Sequence, residues 1–193
     1  LKDSKNYIDD VQLVSNSRKL SVLTVDTTYT GRIFSGLLSA NLGVSFGLKR
    51  FAANNDSEEW YRNEYTPKAQ FRKYNMNVSW YKPINKFYYK TNIVGQYSKD
   101  ILYSQEKIGI GDDTSVRGFK DESTQGDKGF YIRNEIGYKG NQFLEPYIAY
   151  DYGRVFNNKV SDNKVETLQG VAIGIKGYFK GFEGSFTLAK PID

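Results

Sequence analysis

Cysteine and histidine are both absent from this chain of 193 residues. Without a thiol there is no thiolate nucleophile, no disulfide and no cysteine metal site. Without imidazole, the usual Ser-His nucleophile pair and the commonest transition-metal ligand are missing as well. The inventory therefore argues against an enzyme and implies no metal and no cofactor. Long apolar runs are also lacking: no stretch approaches the roughly 20 consecutive apolar residues of a membrane helix, and the mean hydropathy is -0.60. Any bilayer crossing must then use strands, which show lipid only every second side chain. The chain opens Leu1-Lys2-Asp3-Ser4-Lys5 with no secretion signal, so an exported protein would carry these residues as an internal piece. A basic stripe is missing too. The net charge of +5 comes from 27 Lys and Arg scattered among 22 Asp and Glu, which does not make a nucleic-acid surface.

What the chain does have is aromatic residues and a period of two. Tyr (16) and Phe (12) dominate the rings, as expected where side chains sit at a membrane interface. Over 34–48, Leu38, Ala40, Leu42, Val44, Phe46 and Leu48 face one way and Ser39, Asn41, Gly43, Ser45 and Gly47 the other. That is a strand. Its polar face is small, which suits a crowded or water-filled interior better than a soluble surface rich in Lys and Glu.

The same alternation predicts strands over 19–33, 68–82, 86–98, 129–139, 143–155, 165–179 and 181–190. On the polar faces lie Glu135 in 129–139 and Asp151 in 143–155. Eight strands result, each long enough to cross with the ~9 to 11 tilted residues required. Connections alternate between short ones (31–34, 83–86, 140–142, 180–181) and long polar ones (51–64, 100–128, 157–164), the habit of outer-membrane barrels. Residues 7–15 look like the remnant of an earlier strand. An open row of strands leaves two unpaired edges, so 1–193 is expected to be one domain, a transmembrane β-barrel fragment truncated at both ends, with outer-membrane lipid around it.

The loop 100–128 is too long for a simple hairpin connection. Gly109 and Gly111 suggest a phosphate cradle or turn glycines, and the turn is favoured because no helix follows. Asp112, Asp113, Asp121, Glu122 and Asp127 match no Ca²⁺ loop spacing, which favours a solvated acidic loop. The same loop holds Val116-Arg117-Gly118-Phe119, followed by Gly126-Asp127-Lys128-Gly129-Phe130-Tyr131-Ile132-Arg133-Asn134-Glu135. This run resembles the Val-Arg-Gly-Phe loop and next strand of the two-partner secretion transporters of the hemolysin-activator type. Pro146 to Val155 and Leu168 to Ile175 resemble the two strands after it, so the resemblance runs in order over about the last half of the chain.

The resemblance implies a barrel of about 16 strands in the Gram-negative outer membrane, of which this chain would hold roughly the second half. It implies a secreted exoprotein, hemolysin-like or hemagglutinin-like, as substrate, and periplasmic polypeptide-transport-associated domains elsewhere in the full-length protein. It implies that the loop folds into the lumen, with Arg117 as its tip, Asp151 as the wall partner and Glu135 as a second candidate. Ala149 departs from the pattern, since the family often has Gly two places before the Asp. Other readings are a barrel-assembly insertase of the same superfamily, a passive porin or adhesin barrel, and a soluble β-sandwich. The Gly-Asp-x-Gly-Phe-Tyr run after the motif favours secretion, and a porin would need no loop anchored by Arg117.

Overall fold

A strand must pair both backbone edges, and here consecutive strands do so with their sequence neighbours. The structure, a computed structural model, describes residues 2–4, 7–8, 11–12, 18–50, 53–56, 66–119, 122–140, 143–158 and 165–192. Its strands are β1 (Lys2–Ser4), β2 (Tyr7–Ile8), β3 (Val11–Gln12), β4 (Arg18–Ile33), β5 (Gly36–Leu48), β6 (Arg72–Ile84), β7 (Phe87–Ser98), β8 (Ile108–Ile110), β9 (Thr124–Gly126), β10 (Lys128–Tyr138), β11 (Leu144–Phe156), β12 (Val165–Phe179) and β13 (Phe182–Ile192). The main sheet runs β1-β4-β5-β6-β7-β10-β11-β12-β13, an antiparallel meander that does not close on itself among the described residues. Tight turns at Phe34-Ser35 and Lys180-Gly181 have positive φ at both residues, the conformation whose twist matches a two-residue hairpin.

The expected alternation holds in eight long strands, with starts displaced by up to four residues: β5 begins at Gly36 after the turn, and β6 begins at Arg72. One expectation does not hold. The strand beside β4 is Lys2–Ser4, whereas Tyr7–Ile8 pairs with Val11–Gln12 within 7–15, the segment read as a strand remnant.

The two faces are inverted relative to a soluble protein. Ile148, Ile173 and Phe186 are 60%, 59% and 63% exposed, while Asp151 and Asp127 are 1% and 0% exposed. Water would strongly disfavour that arrangement; hydrocarbon outside and a polar lumen inside favour it. On the outward face, rings pair in two rows. Phe87–Tyr138 and Trp80–Tyr89 lie toward the short turns, and Tyr74–Tyr97 and Phe130–Tyr152 toward the long loops. Arg72 and Arg154, outward charges near the loop ends, lie over the rings of Phe46 and Phe156. Two aromatic girdles flanking an apolar band are the outer surface of a membrane barrel.

The polar face is concave. Lys176 of β12 donates to the Tyr88 hydroxyl of β7 at 3.0 Å, although β10 and β11 lie between them. Flat, those three strand spacings would put the two backbones about 14 Å apart, so the sheet curls toward this side.

Candidate functional site

The connection between β7 and β10 folds back over the concave face. It carries regular structure of its own: a 3-10 turn at Ser104–Glu106 precedes the β8–β9 hairpin. Ile108, Ile110 and Val116 from the loop form an apolar cluster with Val155 of β11, joined by Val94, Phe119, Tyr131 and Leu168. A loop that buries its own Ile and Val on the wall gains roughly 1.5 to 3 kcal/mol for each side chain fully buried, and that binds it in the lumen.

Beyond β8 the chain reverses by local hydrogen bonding. Gly111 has φ of +98°. Asp112 Oδ1 accepts from the Thr114 amide and hydroxyl, each at 2.8 Å, and from the Ser115 amide and hydroxyl at 2.7 and 2.9 Å. This is the side-chain-to-backbone turn that Asp favours. Burial pushes the Asp112 carboxyl up, and the hydrogen bonds from Thr114 and Ser115 more than offset it, so it lies below its usual value. Its contribution to holding the turn is therefore complete above the ordinary carboxylate range and is lost as pH falls through the depressed value.

The turn presents Val116-Arg117-Gly118-Phe119, and each residue has a physical role. Val116 is fully buried in the apolar cluster. Arg117 reaches Asp151 of β11: Nε donates to Oδ2 at 2.6 Å and a terminal nitrogen donates to Oδ1 at 2.7 Å, with the backbone amide on Oδ2 at 3.2 Å. Two parallel bonds fix orientation as well as distance. The structure thus brings Arg117 and Asp151 together directly. Glu135 stands further off, 3.9 Å from the guanidinium. Gly118 has φ of +102°, and a Cβ there would lie 2.6 Å from the Lys190 carbonyl carbon of β13. Phe119 packs on the cluster.

Other residues hold the same assembly without having stood out in the sequence. Gly170 of β12 lies opposite Asp151 in register, and a Cβ there would sit 2.0 Å from the Arg117 carbonyl oxygen. Glu135 takes hydrogen bonds from Tyr88, at 2.5 Å, and from Lys176. At the root of the loop, Lys73 of β6 pairs with buried Glu106 at 3.0 Å. The sequence signal for Gly170 is its place on the inward face next to Asp151; for the lysines there is none beyond that face.

Asp127 corrects the expectation of a solvated acid. It is wholly buried, its Oδ1 accepts the Leu102 amide at 2.8 Å and faces Lys107 at 3.5 Å, and its Oδ2 accepts the Asn158 amide at 2.7 Å. The carboxylate therefore ties the loop's start to the β11–β12 connection. Asp127→Ala leaves two amides unsatisfied, at about 1 to 3 kcal/mol each. We expect the loop to become cleavable by trypsin at Lys107 and Arg117 while the strands stay protected, as read by limited proteolysis. Of the other acids, Asp121 lies outside the described residues. Among the described residues no group of three acidic or histidine side chains is placed to hold a metal. Gly109 lies in β8, paired with Gln125, and Gly111 shapes the turn after it.

With this geometry in view, the comparisons with known proteins are specific. The family model described as haemolysin secretion/activation protein ShlB/FhaC/HecB matches residues 1–177. The outer membrane transporter CdiB of Dickeya dadantii (strain 3937) is 29% identical over 197 residues, covering 99% of this chain and 35% of that protein. An outer membrane transporter CdiB of Escherichia coli is 32% identical over 195 residues, covering 97% of this chain and 32% of that protein. The solved structure of CdiB from Escherichia coli superposes with a TM-score of 0.89 at 30% identity, covering 98% of this chain and 36% of that one. The chain spans about a third of the length of the curated relatives it matches.

Proposed function

Since the chain belongs to the haemolysin secretion/activation family, we propose that it forms part of an outer-membrane pore that exports a partner polypeptide by two-partner secretion. It is a bacterial outer-membrane protein, as its CdiB relatives are. The apolar face with its aromatic girdles meets lipid, and strands outside these residues complete the barrel. The substrate is a secreted exoprotein, handed over by periplasmic polypeptide-transport-associated domains of the same full-length protein. In this reading Val116, Arg117, Gly118 and Phe119 form the loop tip, and Asp151 is its anchor on the wall, with Glu135 beside it.

The observation that carries the reading is the lumenal loop pinned by the two-bond Arg117–Asp151 contact. A passive pore needs no loop anchored to its wall by Arg117. A conduit for an unfolded chain needs a wide polar lumen whose wall holds its shape, and the pinned loop stabilises that transport-competent barrel. The wall of that lumen is polar and tied together: Asn75 donates to Ser45, and Asn92 to Asn77 and Ser79.

The test is deletion and complementation in cells. Loss of the full-length protein should leave the exoprotein absent from the medium and degraded or retained in the periplasm, and the cloned gene should restore it. Undiminished exoprotein in the medium of the deletion strain would refute the export reading.

A further inference from the structure

Two cations on the concave wall lack the partners that their positions would give them. In the strand register Lys90 of β7 lies opposite Glu135 of β10, and Arg133 of β10 lies opposite Asp151 of β11. All four point inward, so each cation faces an acid across one strand spacing, where opposite charges normally pair. Neither pair forms. Asp151 has both oxygens engaged by Arg117 from the loop, and Glu135 is engaged by Lys176 from two strands away and by Tyr88. Among the described residues Lys90 and Arg133 make no hydrogen bond or ion pair.

Lys90 and Arg133 share a pocket of about 240 Å³ with Ser79, Asn92, Thr114 and the Arg117 and Glu135 side chains. Asn92 donates to Asn77 at 3.0 Å and to the Ser79 oxygen at 2.7 Å, which leaves the Ser79 hydroxyl proton to offer to a guest. A small polar cavity with an ammonium, a guanidinium and a hydroxyl, whose one lining carboxylate, Glu135, is already held by Lys176 and Tyr88, suits one carboxylate.

We infer that seating the loop tip creates a carboxylate-binding pocket between Lys90 and Arg133, which takes an acidic side chain of an extended polypeptide in the lumen. The inference rests on the export reading, which supplies the polypeptide; the charge of the pocket supplies the preference. The tip and the guest are coupled. When Arg117 withdraws, Asp151 is free to take Arg133 and the pocket loses one of its two cations; when Arg117 is seated, it keeps both. By reciprocity, an acid in the pocket favours the seated tip.

The experiment uses the full-length transporter in detergent and a short, uncharged-dye-labelled Gly-Ser peptide carrying one Glu, or one Gln in its place, with binding read by fluorescence anisotropy. At low salt the Glu peptide should bind the wild type roughly ten-fold more tightly than the Gln peptide, and salt should erode the difference. The preference should vanish in Lys90→Gln/Arg133→Gln. It should also shrink several-fold in Lys176→Met: Lys176 does not line the pocket, but its loss returns Glu135 to Lys90. Heat-modifiable migration verifies that each variant is folded. An equal affinity for both peptides in the wild type, or a preference unchanged in either variant, overturns the inference. Secretion by wild-type cells tests the export reading separately, so a transporter that secretes yet shows no preference for Glu refutes the pocket alone.

Discussion

Secretion by a Gly170→Val variant should fall to background while the protein still reaches the outer membrane as a folded barrel. The strand itself has no objection to valine, which suits a pleated sheet. The obstacle is the loop. A Cβ at position 170 would lie 2.0 Å from the Arg117 carbonyl oxygen and 3.1 Å from its carbon. Those are backbone atoms, which cannot rotate aside as a side chain does. The tip must lift by more than an ångström, and the bonds of 2.6 and 2.7 Å to Asp151 do not survive that displacement. Overpacking costs about 1 to 3 kcal/mol, to which the lost ion pair is added. Gly153→Ala offers a graded control, because its Cβ would meet the Val116 side chain at 2.7 Å and Val116 can shift; it should secrete at an intermediate level. Exoprotein in the medium, normalised to transporter abundance, is the measurement. Full secretion by Gly170→Val would show that a seated tip is not needed.

Arg117→Ala and Asp151→Ala should each reduce secretion roughly ten-fold or more at equal abundance, and the double variant should be no worse than the poorer single one. Removing Asp151 strands the buried Arg117 charge, at about 3 to 5 kcal/mol in a dry interior and less in a wet lumen; removing Arg117 leaves Asp151 to Arg133 across the strand spacing but frees the loop tip. Removing both strands none. Arg117→Lys should behave more like the alanine variant than like the wild type, because an ammonium cannot make the two parallel bonds. Strict additivity in the double-mutant cycle would mean that the two residues act independently, and secretion at the wild-type level in the arginine variant would remove the pair from the mechanism.

The strands were legible in the sequence because the pleat forces a period of two: once Leu38, Leu42 and Val44 share a face, the opposite face of β5 follows. That the polar side of β5 faces inward was legible as well, since it was too small and uncharged to be a water surface. The site was only half legible. Periodicity put Asp151 and Glu135 inward, but pairing Asp151 with Arg117, 34 residues away, needed the resemblance of the Val-Arg-Gly-Phe loop. Asp127 shows why the rest was hidden. A short acidic stretch looks the same whether water or an amide solvates it, and one of its amides belongs to Asn158, 31 residues on. Gly170 was hidden for the converse reason: a missing side chain marks a close approach only once the approaching chain is known. Lys176 sits on the correct face, yet nothing in its neighbourhood says that it leans two strands back to Glu135.

The pattern of pairing also carries a history. Every long strand from β4 to β13 pairs with its nearest long neighbour in the chain, so hairpins can zip in sequence with little loop-closure entropy to overcome. The contact between Lys176 and Tyr88 is different, for it joins residues 88 apart and exists only after four strands have aligned and curled. This part of the lumenal network therefore cannot form before β12 has joined the sheet. Until then Glu135 has only its partners on neighbouring β7, Tyr88 and Lys90, so the ion pair that draws it away from Lys90 forms only once β12 is in place.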